Sequence, residues 1–209
     1  MSPVTAIVKS TAEGQKDYYE AHAAEYFSAT VGLDMSSVYE LFLGKLPRSA
    51  HIVDAGCGSG RDTKAFLQRG YAVTAFDSSA EMARVASAYT GQPCGVLRFQ
   101  DMEFQDQFDA AWACASLLHV PKREIADVLR RFVAALKPGG IMYASFIDGE
   151  GERIGEDGRF YNSYTAKSLR ALTSKIPKIN EIECWTSAES SSSLKRSPWL
   201  NSLFRKDRF

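Results

Sequence analysis

The chain lacks any apolar run near the ~20 residues that a membrane span requires. Its opening residues, Met1-Ser2-Pro3-Val4, carry neither the charged nor the apolar region of a secretory signal. A cytoplasmic protein with no membrane partner is therefore expected. Cysteine is scarce, and Cys57, Cys94, Cys114 and Cys184 show no paired spacing of the kind that marks zinc or a disulfide framework. Reduced structural thiols and no metal site are expected, as is usual inside the cell. Neither sign of charge is in excess: 25 Lys and Arg balance 25 Asp and Glu, for a formal net charge of +0. Residues 161–209 hold nine Lys/Arg against four Asp/Glu, a local net of +5 that could touch phosphate. No repeat and no second domain interrupts the 209 residues, of which 45% are apolar, enough for a buried core. One domain over 1-209 is expected, with 1-48 an N-terminal helical cap and 49-209 the core.

Against these absences stands one dense motif. Residues Ile52 to Asp62 read I-V-D-A-G-C-G-S-G-R-D, an apolar strand running into three alternating glycines and a basic-acidic pair. Without Cβ atoms, Gly56, Gly58 and Gly60 let the backbone turn sharply and approach a ligand, and the helix that follows offers free N–H groups. Val73-Thr74-Ala75-Phe76-Asp77 is a second apolar strand ending in an acid, where a carboxylate can accept hydrogen bonds from two ribose hydroxyls. The dinucleotide fingerprint G-x-G-x-x-G sets its third glycine one residue later than here. Asp54, two residues before Gly56, would oppose a pyrophosphate but suits a ligand with an ammonium group. These features favour S-adenosylmethionine over NAD.

The rest of the chain alternates strand and helix patterns. Strands are expected at His51–Ala55, Ala72–Phe76, Gly95–Phe99, Ala110–Ala113 and Ile141–Ile147, with helices from Arg61, from Ala80 and over Lys122–Leu136. Two helical patterns, Thr11–Ala29 and Met35–Leu46, precede the first strand. A helix over Ala166–Ser174 and strands over Ile179–Thr186 and Trp199–Arg205 close the chain, and Ser190–Ser193 reads as a polar linker. Such alternation gives an α/β fold, a parallel sheet with helices on both faces.

On these residues the chain resembles the class I S-adenosylmethionine-dependent methyltransferases. Asp77 to Ala86 is similar to that family's second-strand acid and second helix, with Ser78 beside the acid. Asp101-Met102 resembles its adenine clamp, and Phe108 to Val120 its fourth strand and the segment facing the transferred methyl, which includes Ala113, Ser116 and His119. Leu136-Lys137-Pro138-Gly139-Gly140 resembles its turn into the fifth strand. The resemblance implies a Rossmann-like, doubly wound, seven-stranded, mostly parallel sheet with an antiparallel last strand and N-terminal covering helices. It implies S-adenosylmethionine as cofactor and S-adenosylhomocysteine as product.

Ligands in open α/β sheets bind beyond the carboxyl ends of the strands. The expected cofactor contacts are Asp54, Gly56, Gly58, Gly60, Arg61, Asp77, Ser78, Asp101, Met102, Ala113 and Ser116, with Tyr18 and Tyr26 from a covering helix. Arg61 could pair with the cofactor carboxylate or with Asp62, and the two tyrosines could equally be plain apolar-face aromatics. Methyl transfer from a sulfonium is a direct displacement that asks chiefly for in-line positioning away from water, so a base is optional. His119 is a candidate base or a packed histidine; Asp148, Glu150 and Glu152 follow the fifth strand. Asp148 to Asn162 is glycine-rich, charged and aromatic, and is expected to be a mobile substrate lid whose Arg153, Arg159 and Tyr161 grip an acidic or planar group, the alternative being a solvated loop. His119, Tyr161 and Arg153 make up the candidate catalytic set. The acceptor is expected to be a small molecule, including soft nucleophiles such as a thiol or metalloid oxyanion. Ala113-Cys114-Ala115-Ser116 lacks the Asn/Asp-Pro-Pro-aromatic clamp of methyltransferases that modify nucleobase amino groups. A tRNA wobble-uridine methyltransferase and a non-catalytic S-adenosylmethionine-binding regulatory protein are the alternatives. A monomer or homodimer is expected.

Overall fold

The computed structural model describes residues 17–187 and 198–208, so the start of the first helical pattern and the Ser190–Ser193 linker lie outside the described residues. A helical turn over 17–21 leads, across a bend at His22, into α1 (Ala23–Thr30) and α2 (Ser36–Leu43). Then come β1 (His51–Ala55), α3 (Arg61–Gln68), β2 (Ala72–Asp77), α4 (Ala80–Thr90), β3 (Cys94–Val96), β4 (Phe108–Ala113), α5 (Lys122–Ala135) and β5 (Leu136–Asp148). The chain continues through β6 (Glu152–Ile154), β7 (Phe160–Tyr164), α6 (Ala166–Thr173), β8 (Ile179–Ser187) and β9 (Trp199–Lys206).

Strands β3, β2, β1, β4 and β5 run parallel in that spatial order. β9 pairs antiparallel with β5, and β8 pairs antiparallel with β9. Setting aside the β6–β7 hairpin, these seven strands of the described residues are those the resemblance implied, with the last one antiparallel. Alternation across the strands divides the core, because successive side chains point to opposite faces. Val53, Ala55, Ala111, Ala113, Met142 and Ala144 face one side, packed under α5 and α6. Ile52, Ala110, Trp112, Ile141 and Tyr143 face the other, against Tyr39 and Phe42 of α2 and Phe66 of α3. Both faces are covered, which is why these strands read as near-continuous apolar runs. α5 buries Ile125, Val128, Leu129, Phe132 and Val133, the one-faced spacing of an amphipathic helix.

Three expectations need correction. β3 begins at Cys94 and ends at Val96, and Phe99–Asp101 forms a 3-10 turn instead of extending the strand. The Leu136 to Gly140 segment belongs to the start of β5, with an irregularity in its pairing with β4 and Gly139 at φ 80°. The expected lid is a hydrogen-bonded hairpin, in which Glu152, Arg153 and Ile154 pair with Asn162, Tyr161 and Phe160. Its place follows from the pairing. Ile147 of β5 pairs with Trp199 of β9 on one edge and Ser163 of β7 on the other. β4 occupies that second edge only as far as Ala144. β7 therefore takes over the β4 edge beyond the carboxyl end of β4, roofing the segment that begins at Cys114.

Candidate active site

The glycine loop is shaped by what lies against it. Gly56 and Cys57 both donate their N–H to the Phe76 carbonyl, at 2.9 and 3.0 Å, which folds the loop back onto β2. Gly56 sits at φ 75°, and a Cβ there would come within 2.6 Å of Ser116 Cβ. Gly60, at φ 78°, lets α3 and α4 approach, since its Cβ would meet Thr90 Cγ2 at 2.9 Å and Ala86 Cα at 3.1 Å. A Gly56→Ala variant combines a left-handed φ with this contact and is expected to lose most ligand binding at the loop while unfolding at a lower temperature, as paired calorimetric and thermal-melt measurements would read.

At the end of β2, Asp77 accepts from Gly58 N at 3.0 Å and from Ser79 N at 2.9 Å. Burial raises its pKa, with the Ser79 and Gly58 N–H groups acting against that rise. Each carboxylate oxygen keeps a second lone pair for a ligand hydroxyl. Asp77 and Ser78 line a cleft of about 340 Å³ together with Tyr19, Tyr26, Gly56, Gly58, Leu97 to Gln100, Ala115, Ser116, His119 and Val120. The N-terminal segments close it. Tyr26 of α1 rests on Gly58, at 3.2 Å from where a Cβ would stand, and Thr30 donates to Ser59 Oγ at 3.1 Å. Glu20, in the helical turn, accepts from the N–H groups of Ala80 and Glu81 at 2.7 and 3.1 Å, placing a carboxylate on the positive end of α4.

The other end of the cleft is a polar relay. His119 Nδ1 lies 2.8 Å from the Phe160 carbonyl, which can only accept, so Nδ1 carries the proton and Nε2 is an acceptor. Tyr19 Oη, 3.0 Å from Nε2, therefore donates to it, and Arg159 Nη1 donates to Tyr19 Oη at 3.1 Å. Burial pushes the His119 pKa down to about 4, against the Phe160 hydrogen bond that would raise it. Arg159 packs its guanidinium 4.9 Å from the Tyr18 ring centroid and 5.3 Å from that of Tyr161, and pairs with Asp157 at 2.7 Å. Ala115, between the two ends, holds a left-handed φ of 49° with its N–H donated to Ser145 Oγ at 2.8 Å, the kind of strained residue that gathers at functional sites.

Residues 52–140 match the family model described as a methyltransferase domain. Over that stretch the chain is similar to the methyltransferase domain. It is similar to the ubiquinone biosynthesis O-methyltransferase of Xanthomonas campestris pv. campestris (strain B100), 28% identical over 106 residues that cover 47% of this chain and 44% of that protein. It is also similar to the trans-aconitate 2-methyltransferase of Variovorax paradoxus (strain S110), 32% identical over 136 residues, 63% of this chain and 48% of that one. The chain thus spans under half the length of these curated relatives. Its fold is shared with the Burkholderia thailandensis 1,6-didemethyltoxoflavin-N1-methyltransferase, solved with 1,6-didemethyltoxoflavin and S-adenosylhomocysteine bound. That structure superposes with a TM-score of 0.68 at 23% identity, over 97% of this chain and 86% of that one.

Several expected contacts sit elsewhere. Asp54 is 2% exposed, accepts from Thr63 Oγ1 at 2.5 Å, and is held well above the usual carboxylate range by burial and then by nearby Asp62. It underlies the glycine loop and does not line the cleft. Arg61 takes the second of its two options: its guanidinium grips Asp62 at 2.6 and 2.9 Å. Met102 is buried in the core and Asp101 is exposed, 3.8 Å from Arg98 Nε, because the 3-10 turn rotates Met102 inward. Leu97 and Phe99 supply the apolar wall in its place. Tyr18 stacks on His22 at 4.4 Å outside the cleft lining, and Tyr19 enters instead. The signal was present: residues 19 and 26 are seven apart, two helical turns on one face. Ala113 is buried in the core, and the Ser116 hydroxyl donates to the Ala55 carbonyl at 2.9 Å. Tyr161 donates to Asp157 at 2.9 Å with its ring 5.4 Å from that of His119, and Arg153 packs 4.8 Å from the Tyr161 ring. Glu20 went unrecognised because its partners are backbone N–H groups 60 residues away. No helix among the described residues is long and apolar enough to cross a membrane, and no cluster of metal-ligating side chains occurs among them.

Proposed function

We propose that this chain transfers the methyl group of S-adenosylmethionine to a small-molecule acceptor. The observation that carries the reading is the continuity of one cleft from Asp77 and the glycine loop to His119. A cofactor end and an acceptor end share a single space. The donor set fits the cofactor: Asp77 presents acceptors for ribose hydroxyls, and Gly56 and Gly58 leave a cradle that Cβ atoms would crowd. Leu97 and Phe99 offer apolar surface to a base. The cofactor supplies a methyl group already activated on a sulfonium; the chain's residues bind, orient and exclude water. Tyr26 and the β6–β7 hairpin do the excluding.

The relatives named for ubiquinone biosynthesis, trans-aconitate and 1,6-didemethyltoxoflavin support a small acceptor. The tRNA reading leans on the basic 161–209 segment, where Arg170 is paired with Glu181 at 2.9 Å and Lys206 with Asp106 at 2.6 Å, so less charge is free for phosphate. A purely regulatory role would leave the ordered His119 relay without a purpose. Calorimetric titration with S-adenosylmethionine, S-adenosylhomocysteine and NAD tests the proposal. Micromolar binding of the first two with NAD weaker is expected; absence of binding by both, or tighter binding of NAD, overturns it.

A further inference from the structure

We infer that the acceptor carries an aromatic or enolic hydroxyl, and that its oxygen takes the position now held by Tyr19 Oη between Arg159 and His119. This rests on the methyltransferase reading above and narrows its substrate. The position is defined by two opposite demands. An atom there must accept from the Arg159 guanidinium and donate to His119 Nε2, as Tyr19 Oη does at 3.1 and 3.0 Å. A carboxylate has no proton to give Nε2. An ammonium is repelled by Arg159, and a thiol makes only weak hydrogen bonds. A hydroxyl meets both demands. A planar carrier is favoured by the rings around the point: Tyr161 lies 5.4 Å from the His119 ring, and Tyr18 and Tyr161 hold Arg159 between them.

Tyr19 can give way because it belongs to the turn over 17–21, set off from α1 by the bend at His22 and absent from the core clusters. The balance of the step is complete with these groups. The hydroxyl oxygen attacks the methyl carbon, an O–C bond forms, the C–S bond breaks, and its electron pair neutralises the sulfonium to a thioether. The O–H proton passes to His119 Nε2, so one positive charge leaves sulfur and one appears on imidazole, which returns its proton to water. As the O–C bond forms the proton becomes strongly acidic, so a buried, weakly basic imidazole suffices. Arg159 steadies the oxygen throughout.

The test is binding, read calorimetrically in the presence of S-adenosylhomocysteine, with 4-methylphenol, 4-methylbenzoate and 4-methylbenzyl thiol as probes, so that the phenol and the thiol keep their protons near neutral pH. The phenol is expected to bind on the order of tenfold more tightly than either other probe, the size of one hydrogen bond to a charged group. Tyr19→Phe removes the competing hydroxyl and is expected to tighten phenol binding several-fold. His119→Ala and Arg159→Gln are each expected to erase the preference for the phenol, and thermal melting verifies that each variant folds. Arg159 lies on the hairpin outside the core, which provides a variant independent of His119. Equal binding of the three probes, or a Tyr19→Phe variant that binds the phenol no better, overturns the inference. Failure of S-adenosylhomocysteine itself to bind would instead sink the methyltransferase reading, so the two failures are told apart.

Discussion

Replacing Asp77 with alanine is expected to weaken S-adenosylhomocysteine binding by roughly 100-fold or more. Two ligand hydroxyls lose their acceptor, and hydrogen bonds to a charged group contribute about 1.5–3 kcal/mol each, where 1.4 kcal/mol is tenfold. The loss extends to the loop, because Asp77 also receives the N–H groups of Gly58 at 3.0 Å and Ser79 at 2.9 Å. Asp77→Asn is expected to fall between the two proteins. It keeps one oxygen, but its amide N–H₂ must face a backbone donor. Calorimetry on all three proteins measures this, and an alanine variant within about threefold of wild type would remove Asp77 from the cofactor site.

The largest stability effect is expected from Asp62. This carboxylate is 6% exposed and collects Arg61 at 2.6 and 2.9 Å, Tyr39 Oη at 2.5 Å and Trp112 Nε1 at 2.7 Å. Burial alone would raise its pKa; Arg61, then the Tyr39 and Trp112 hydrogen bonds, outweigh burial and hold the carboxyl below the usual range. Its folded pKa is thus depressed, so its stabilisation is present above the unfolded carboxylate pKa and is lost as the pH falls towards the folded value. Asp62→Ala strands the Arg61 guanidinium in the interior and is expected to cost about 3–5 kcal/mol in urea unfolding. Removing both charges, as Arg61→Met with Asp62→Leu, is expected to restore only part of that loss, since the charge is no longer stranded but the buried Tyr39 and Trp112 donors stay unpaired. A single-variant loss below about 1 kcal/mol would show that the network contributes little.

What the sequence discloses and what it hides divide by chain distance. Asp77 was legible because strand, turn and acid are contiguous, and the three glycines announce their own backbone shape. The α/β class followed from alternation of strand and helix patterns, whereas the seven-stranded sheet with its antiparallel last strand came only from the resemblance. Arg61 remained open between two partners because Tyr39 and Trp112, 23 and 50 residues from Asp62, fix the answer. The Tyr19–Arg159 contact joins positions 140 residues apart, and nothing local marks it. Met102 was misplaced by one 3-10 turn, a feature too short to leave a periodic signal. The hairpin was read as a loop because its glycines and charges mask strands of three and five residues.

The hairpin's backbone pairs with the sheet where β7 meets the last two residues of β5, Ile147 and Asp148. No bond of the seven-stranded ladder runs through it. The stretch that carries Arg159 is held beyond that seam by Asn162 Nδ2, which donates to the Val120 carbonyl at 2.9 Å, and by Tyr164, buried in the core. Exchanging only the turn at 155–159 would replace Arg159 while leaving that seam and the buried Tyr164 in place.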